Sequence, residues 1–104
     1  MITVTVLYPN QEGAKFDMDY YLGRHIPMVK KLLGPALKGV VVERGLNGGA
    51  PGTQAAYAVL CHLRFDSVES FGAAFAPHAE SIQADVRNYA STKPVVQVSE
   101  IKLS

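Results

Sequence analysis

The chain reads as one α+β domain whose strands and helices follow the order β-α-β-β-α-β. Three observations predict it. Residues 2–8 alternate in a strand-like, β-branched pattern, residues 18–33 carry a helical apolar stripe, and two further apolar runs flank a glycine-rich loop at 47–53. A chain of 104 residues has room for a single core, so residues 1–104 are taken as one domain.

The first strand, Ile2 to Tyr8, is ended by Pro9-Asn10. After a polar loop, Asp17 is placed to cap a helix starting at Met18, and Asp19 suits its first turn. This helix runs to about Leu33 and stops at Gly34-Pro35. Its inward stripe is read as Tyr21, His25, Met28 and Leu32. Pro27 cannot donate to the carbonyl of Gly23, so a kink or break is expected just after His25. Val40 to Leu46 and Ala56 to Phe65 form the second and third strands, joined by the loop Asn47 to Thr53. Asp66 and Glu69 fit a capping box for the second helix. That helix carries Phe71 and Phe75, is interrupted at Pro77, and continues its buried stripe through Ile82, Val86 and Tyr89. Lys93-Pro94 ends it, and Val95 to Ile101 is the last strand. The order is that of the ferredoxin-like fold: an antiparallel four-stranded sheet with two helices on one face.

Two helices leave the other sheet face to be accounted for. In the third strand Tyr57, Val59, Cys61, Leu63 and Phe65 point one way, and Ala58, Leu60, His62 and Arg64 the other. Both sets are partly apolar, more than a water-facing sheet needs. A second copy across a two-fold axis is expected to cover the free face, giving a homodimer through the sheet.

Composition narrows the function classes. Apolar residues make up 48%, charged residues 18%, and the net charge is +1, which argues against nucleic-acid and anionic-membrane partners. The single cysteine, Cys61, excludes a disulfide framework within the chain and reads as a small buried hydrophobe. No run approaches the ~20 apolar residues of a membrane span. No charged leader precedes an apolar core, so a cytoplasmic location is expected. No cofactor is expected, because Gly-x-Gly-x-x-Gly and Walker sequences are missing and Gly48-Gly49 opens no helix. No metal is expected either, since the three histidines lack ligand-type spacing.

His25 carries the chemistry. An imidazole on an apolar stripe costs desolvation energy unless a partner or a wet cavity lies beside it, so a pocket is expected beneath the helix. With an ordinary pKa of about 6.5 it is suited to taking a proton from a phenol or carbon acid near neutral pH. Asp85 stands beside the stripe of the second helix and is the best candidate to orient it. Tyr21 shares the stripe of His25 and is placed to offer a phenol to a ligand, while Tyr20 flanks the helix and is also expected to bind ligand. Met28 on the same stripe, and Tyr57 and Phe65 on the third strand, are expected to complete an aromatic and apolar wall. Phe65 also reads as plain core. His62 is assigned to the sheet interface and His78 to a surface or capping role.

The run Phe16-Asp17-Met18-Asp19-Tyr20-Tyr21-Leu22-Gly23-Arg24-His25-Ile26-Pro27 resembles the Phe-Asp-x-x-Tyr-Tyr-x-x-x-His-x-Pro signature of the EthD family. The stretch Ala84 to Tyr89, followed by Pro94 and a strand holding Gln97, resembles that family's second helix and closing strand. The family is named for a protein of ethyl tert-butyl ether degradation. The resemblance implies a dimeric α/β barrel with a cleft between each subunit's sheet and helices. It also implies a small-molecule-binding or accessory role in a catabolic pathway. The architecture equally admits a cofactor-independent cyclase, dehydratase or lactone isomerase using His25 as general acid or base. Fold alone does not choose among these.

Overall fold

The computed structural model describes residues 1–104. Four strands form one antiparallel sheet in the order β2-β3-β1-β4, with β1 at Ile2–Pro9, β2 at Gly39–Arg44, β3 at Tyr57–Phe65 and β4 at Val95–Glu100. The strand order and the two helical rods between strands are those of the ferredoxin-like fold. The first rod comprises α1 (Met18–Tyr20), a π-helical turn (Tyr21–His25) and α2 (Ile26–Leu33). The second comprises α3 (Val68–Phe75) and α4 (Ala79–Ala84), with 3₁₀ turns at Ala76–His78 and Asp85–Asn88.

Register assigns each strand residue to a face. Val4 pairs with Leu63 and Val98, and Thr5 with His62 and Gln97. The helix-covered face therefore holds Ile2, Val4, Tyr8, Val59, Cys61, Leu63 and Phe65, all buried. The open face holds Thr5, Leu7, Leu60, His62, Val41, Glu43 and Val95. Val41 and Val95 are more than half exposed there. Burying an aliphatic or aromatic side chain contributes roughly 1.5–3 kcal/mol, so most of the folding energy of the sheet comes from the helix side.

Asp17 caps α1 as the sequence suggests, accepting from the Tyr20 amide at 3.0 Å. The cap of α3 is different. Ser67, not Asp66, accepts from the Ser70 amide at 3.0 Å, and no Asp66–Glu69 box forms. Gly34 ends α2 with φ of +61°, a conformation glycine adopts without steric cost.

The interruption expected after His25 takes the form of a wide turn rather than a break. The Ile26 amide bonds to the carbonyl of Tyr21, five residues back. This adds one residue to the turn and shifts the inward stripe. After Tyr21 and His25 the buried positions are Ile26, Val29 and Leu33, while Met28 and Leu32 are half-buried. Pro27, which has no amide hydrogen to place, falls in the first turn of α2.

Candidate functional site

Between the sheet and the two rods lies a cavity of about 220 Å³. Of its 18 lining residues 15 are hydrophobic, and none is Lys, Arg, Asp or Glu. The floor is Val4, Val6, Tyr8, Cys61 and Leu63, and α2 contributes Ile26, Val29 and Leu33. The second rod closes it with Phe71, Phe75, Ile82, Val86 and Tyr89. Two lining residues, Gln83 and Val96, are exposed, so the cavity opens between the second rod and the edge strand β4.

His25 and Tyr21 stand at the polar end. The π turn brings their rings almost parallel, 14° apart with centroids at 5.4 Å. His25 is 5% exposed, the one buried polar or charged residue of the chain. Its Nδ1 lies 2.9 Å from Asp85 Oδ2. The other oxygen of Asp85 accepts from the Tyr20 hydroxyl at 2.7 Å and from Asn88 Nδ2 at 2.8 Å. Burial pushes the Asp85 carboxyl up, but hydrogen bonds from Asn88, Tyr20 and His25 more than reverse this and hold it below its ordinary value. Asp85 is thus an acceptor on both oxygens, and the neutral imidazole keeps its hydrogen on Nδ1. Burial also lowers His25 below 6.5, and the nearby carboxylate opposes this only in part. The same carboxylate raises Tyr20, through its hydrogen bond first and then burial.

On its other side, His25 Nε2 is 3.3 Å from the Tyr89 hydroxyl, which is 2.6 Å from that of Tyr8. Burial raises the phenols of Tyr8, Tyr21 and Tyr89, so all three keep their protons at neutral pH. Cys61 is likewise raised by burial, opposed by Tyr21 beside it. It packs as a thiol in the core and is not poised as a thiolate.

Residues 10–93 match the EthD domain family. The chain belongs to the EthD family. An uncharacterized 11.0 kDa protein of the thcB-thcC intergenic region of Rhodococcus erythropolis is 36% identical over 95 residues, spanning 88% of this chain and 85% of that one. The crystal structure of an EthD-like protein from Ralstonia eutropha JMP134 has a TM-score of 0.93 at 45% identity, covering 99% of this chain and 93% of its own. At 18% identity, where only the fold carries over, a dimeric ferredoxin-like protein of unknown function from Thermobifida fusca gives 0.59, with 96% and 90% covered.

The EthD signature residues converge in part. Tyr20, Tyr21, His25 and Asp85 form one connected group at the cavity end. None of the four residues expected to bind ligand, Tyr20, Met28, Tyr57 and Phe65, lines the cavity, and Tyr20 is spent on Asp85 instead. Met28 is turned away by the extra residue of the π turn. Tyr57 shares the face of Cys61, but it lies at the strand end beyond the helical cover and is 37% exposed. Phe65 is fully buried against Phe71, with centroids 5.1 Å apart, and is plain core. His62 lies on the open face, bonded to Thr5 and Glu43.

Tyr8 and Tyr89 belong to the group as well, and sequence reading passed over both as strand and helix packing. The available signal was weak: Tyr8 ends a buried face, and Tyr89 follows Asp85 by one helical turn. No group of three His, Cys, Asp or Glu side chains converges to hold a metal ion. No helix is long and apolar enough to cross a membrane.

Proposed function

We propose that this EthD-family chain is a small-molecule-binding or accessory protein of a catabolic pathway, with the cavity as its binding site. One observation carries the reading: an apolar cavity of about 220 Å³ ends in a single imidazole held by a carboxylate. Ligand pockets are typically apolar with a few fixed polar groups, as here. Tyr8, Tyr21 and Tyr89 supply hydroxyls, and the aliphatic wall supplies burial. Thermal-shift screening with hydrophobic phenols, lactones and ethers tests it. A binder at a hundred times its dissociation constant adds about 2.7 kcal/mol. A flat response to all three classes, with Val29→Trp (which fills the cavity) behaving as wild type, would sink the reading.

A second reading has one observation in its favour, the pairing of a base with an orienting carboxylate. Asp85 fixes the tautomer of His25, and burial keeps the ring neutral near pH 7. That arrangement suits a cofactor-independent cyclase, dehydratase or isomerase using His25 as general base or acid, with Tyr21 beside it. A folded His25→Gln variant that retains ligand affinity but loses turnover would favour it.

The protein is further proposed to act as a homodimer through the open sheet face. Val41, Leu60, Leu7 and Val95 on that face support this, as does the dimeric fold relative. Light scattering should give twice the chain mass at micromolar concentration. Leu60→Arg should return the monomer, and a monomeric wild type would refute the assembly.

A further inference from the structure

Both nitrogens of His25 are already engaged, Nδ1 by Asp85 at 2.9 Å and Nε2 by the Tyr89 hydroxyl at 3.3 Å. A ligand cannot bond the ring without displacing Tyr89. The Tyr89 hydroxyl lies 2.6 Å from that of Tyr8, which also lines the cavity. One constraint sets the direction of this chain of bonds. Asp85 accepts only, so the neutral ring carries its hydrogen on Nδ1 and leaves Nε2 bare. Tyr89 then donates to Nε2, and Tyr8 donates to Tyr89. Every hydrogen points away from the cavity. The Tyr8 oxygen has two lone pairs, and the neighbouring Tyr21 hydroxyl takes at most one of them.

We infer that the group meeting a ligand's oxygen is the Tyr8 hydroxyl, coupled to His25 through Tyr89, and that the preferred ligand is an uncharged hydrophobe bearing a hydroxyl. This rests on the binding-site reading above and adds its ligand class. At the resting polarity the Tyr8 oxygen is an acceptor, which a hydroxyl satisfies and an ether or carbonyl oxygen does not, and the donor amide of Gln83 stands at the exposed mouth, away from this inner end. A charged ligand would lose its hydration with no opposite charge in the wall.

Protonation of His25 reverses the chain. Nε2–H then donates to Tyr89, Tyr89 donates to Tyr8, and the Tyr8 hydrogen turns into the cavity as a donor. The titratable groups facing the ring or its chain are Asp85 and Tyr89 from the second rod, Tyr21 from its own, Tyr8 from β1, and Cys61 of β3 beyond Tyr21. Burial confines the reversal to pH below 6.5.

Calorimetric titration of the whole chain with 2-naphthol, its methyl ether 2-methoxynaphthalene, and naphthalene as apolar baseline tests this at pH 8 and pH 5. Wild type should bind the naphthol about tenfold more tightly than the ether at pH 8, and the margin should narrow as pH falls below 6.5 toward the lowered value of His25. Tyr8→Phe should bring naphthol and ether to equal affinity at both pH values, with its fold checked separately by circular dichroism and its denaturant midpoint. His25→Gln and Tyr89→Phe should remove the pH dependence. An unchanged naphthol preference in Tyr8→Phe overturns the inference. So does a naphthol hydroxyl proton found bonded directly to His25 Nε2 by ¹H–¹⁵N transfer in the wild-type complex; this readout needs no variant. Equal binding of naphthol and ether by wild type overturns the inference and leaves the binding site standing. Failure of all three probes to bind removes both.

Discussion

His25 and His62 are each bonded at both ring nitrogens, yet they sit on opposite sides of the sheet. His62 lies between Thr5 Oγ1 at 3.1 Å and Glu43 Oε1 at 2.9 Å, with its side chain 32% exposed. His25 lies between Asp85 and Tyr89, with its side chain 6% exposed. The partner sets are alike; what differs is access to water. On the open face water replaces a lost partner, whereas beside the cavity a lost partner leaves a buried group unpaired. Equivalent changes should therefore cost different amounts on the two faces.

The widest gap is expected in packing. Phe65→Ala on the covered face should lower stability by about 3–5 kcal/mol. Val41→Ala on the open face, measured in the monomeric Leu60→Arg background, should change it by less than about 0.5 kcal/mol. Denaturant titration compares them, and similar losses would erase the distinction between the faces. Next come the two carboxylates. Asp85→Ala strips His25, Tyr20 and Asn88 of a shared acceptor and should cost about 1–3 kcal/mol. Glu43→Ala removes a half-exposed partner of His62 and should cost under about 1 kcal/mol.

Acid tests the buried histidine directly. His25 has a folded pKa below its unfolded one, so its stabilising contribution is complete above pH 6.5 and is lost as pH falls through the folded value. Asp85 behaves the same way, complete above 3.8 and lost as pH falls through its lower folded value. Denaturant midpoints should thus decline below pH 6.5, and His25→Gln should flatten the first part of that decline. A His25→Gln curve parallel to wild type from pH 7 to 5 would contradict a buried neutral ring. The smallest effect is reserved for His62→Gln, which should stay within about 0.5 kcal/mol in the monomer.

Element order and strand faces were legible because they rest on local signals. Alternation in Ile2–Tyr8 and the breaks at Pro9, Gly34 and Pro94 need no tertiary information. The wall of the cavity was less legible. Met28 and Leu32 follow a regular 3.6-residue period from His25, and the π turn that displaces them has no residue signature of its own. Pro27 marked the place but not the remedy, since a missing amide is compatible with a kink, a break or a wider turn. Ser67 and Asp66 are adjacent possible caps, and backbone entry angle, set by packing, decides between them. Asp85 was found through its position beside a buried stripe. Tyr8 and Tyr89 were not, because a hydroxyl in a core looks like ordinary aromatic packing until its neighbours are known.

The wide turn at Tyr21–His25 divides the labour of the first rod at a single peptide. Residues before the division serve the hydrogen-bonded network, while Ile26, Val29 and Leu33 beyond it only shape volume. Exchanges among those three aliphatics should therefore retune which molecules fit without disturbing how an oxygen is held. Size selectivity and polar recognition become separately adjustable in one short stretch of chain.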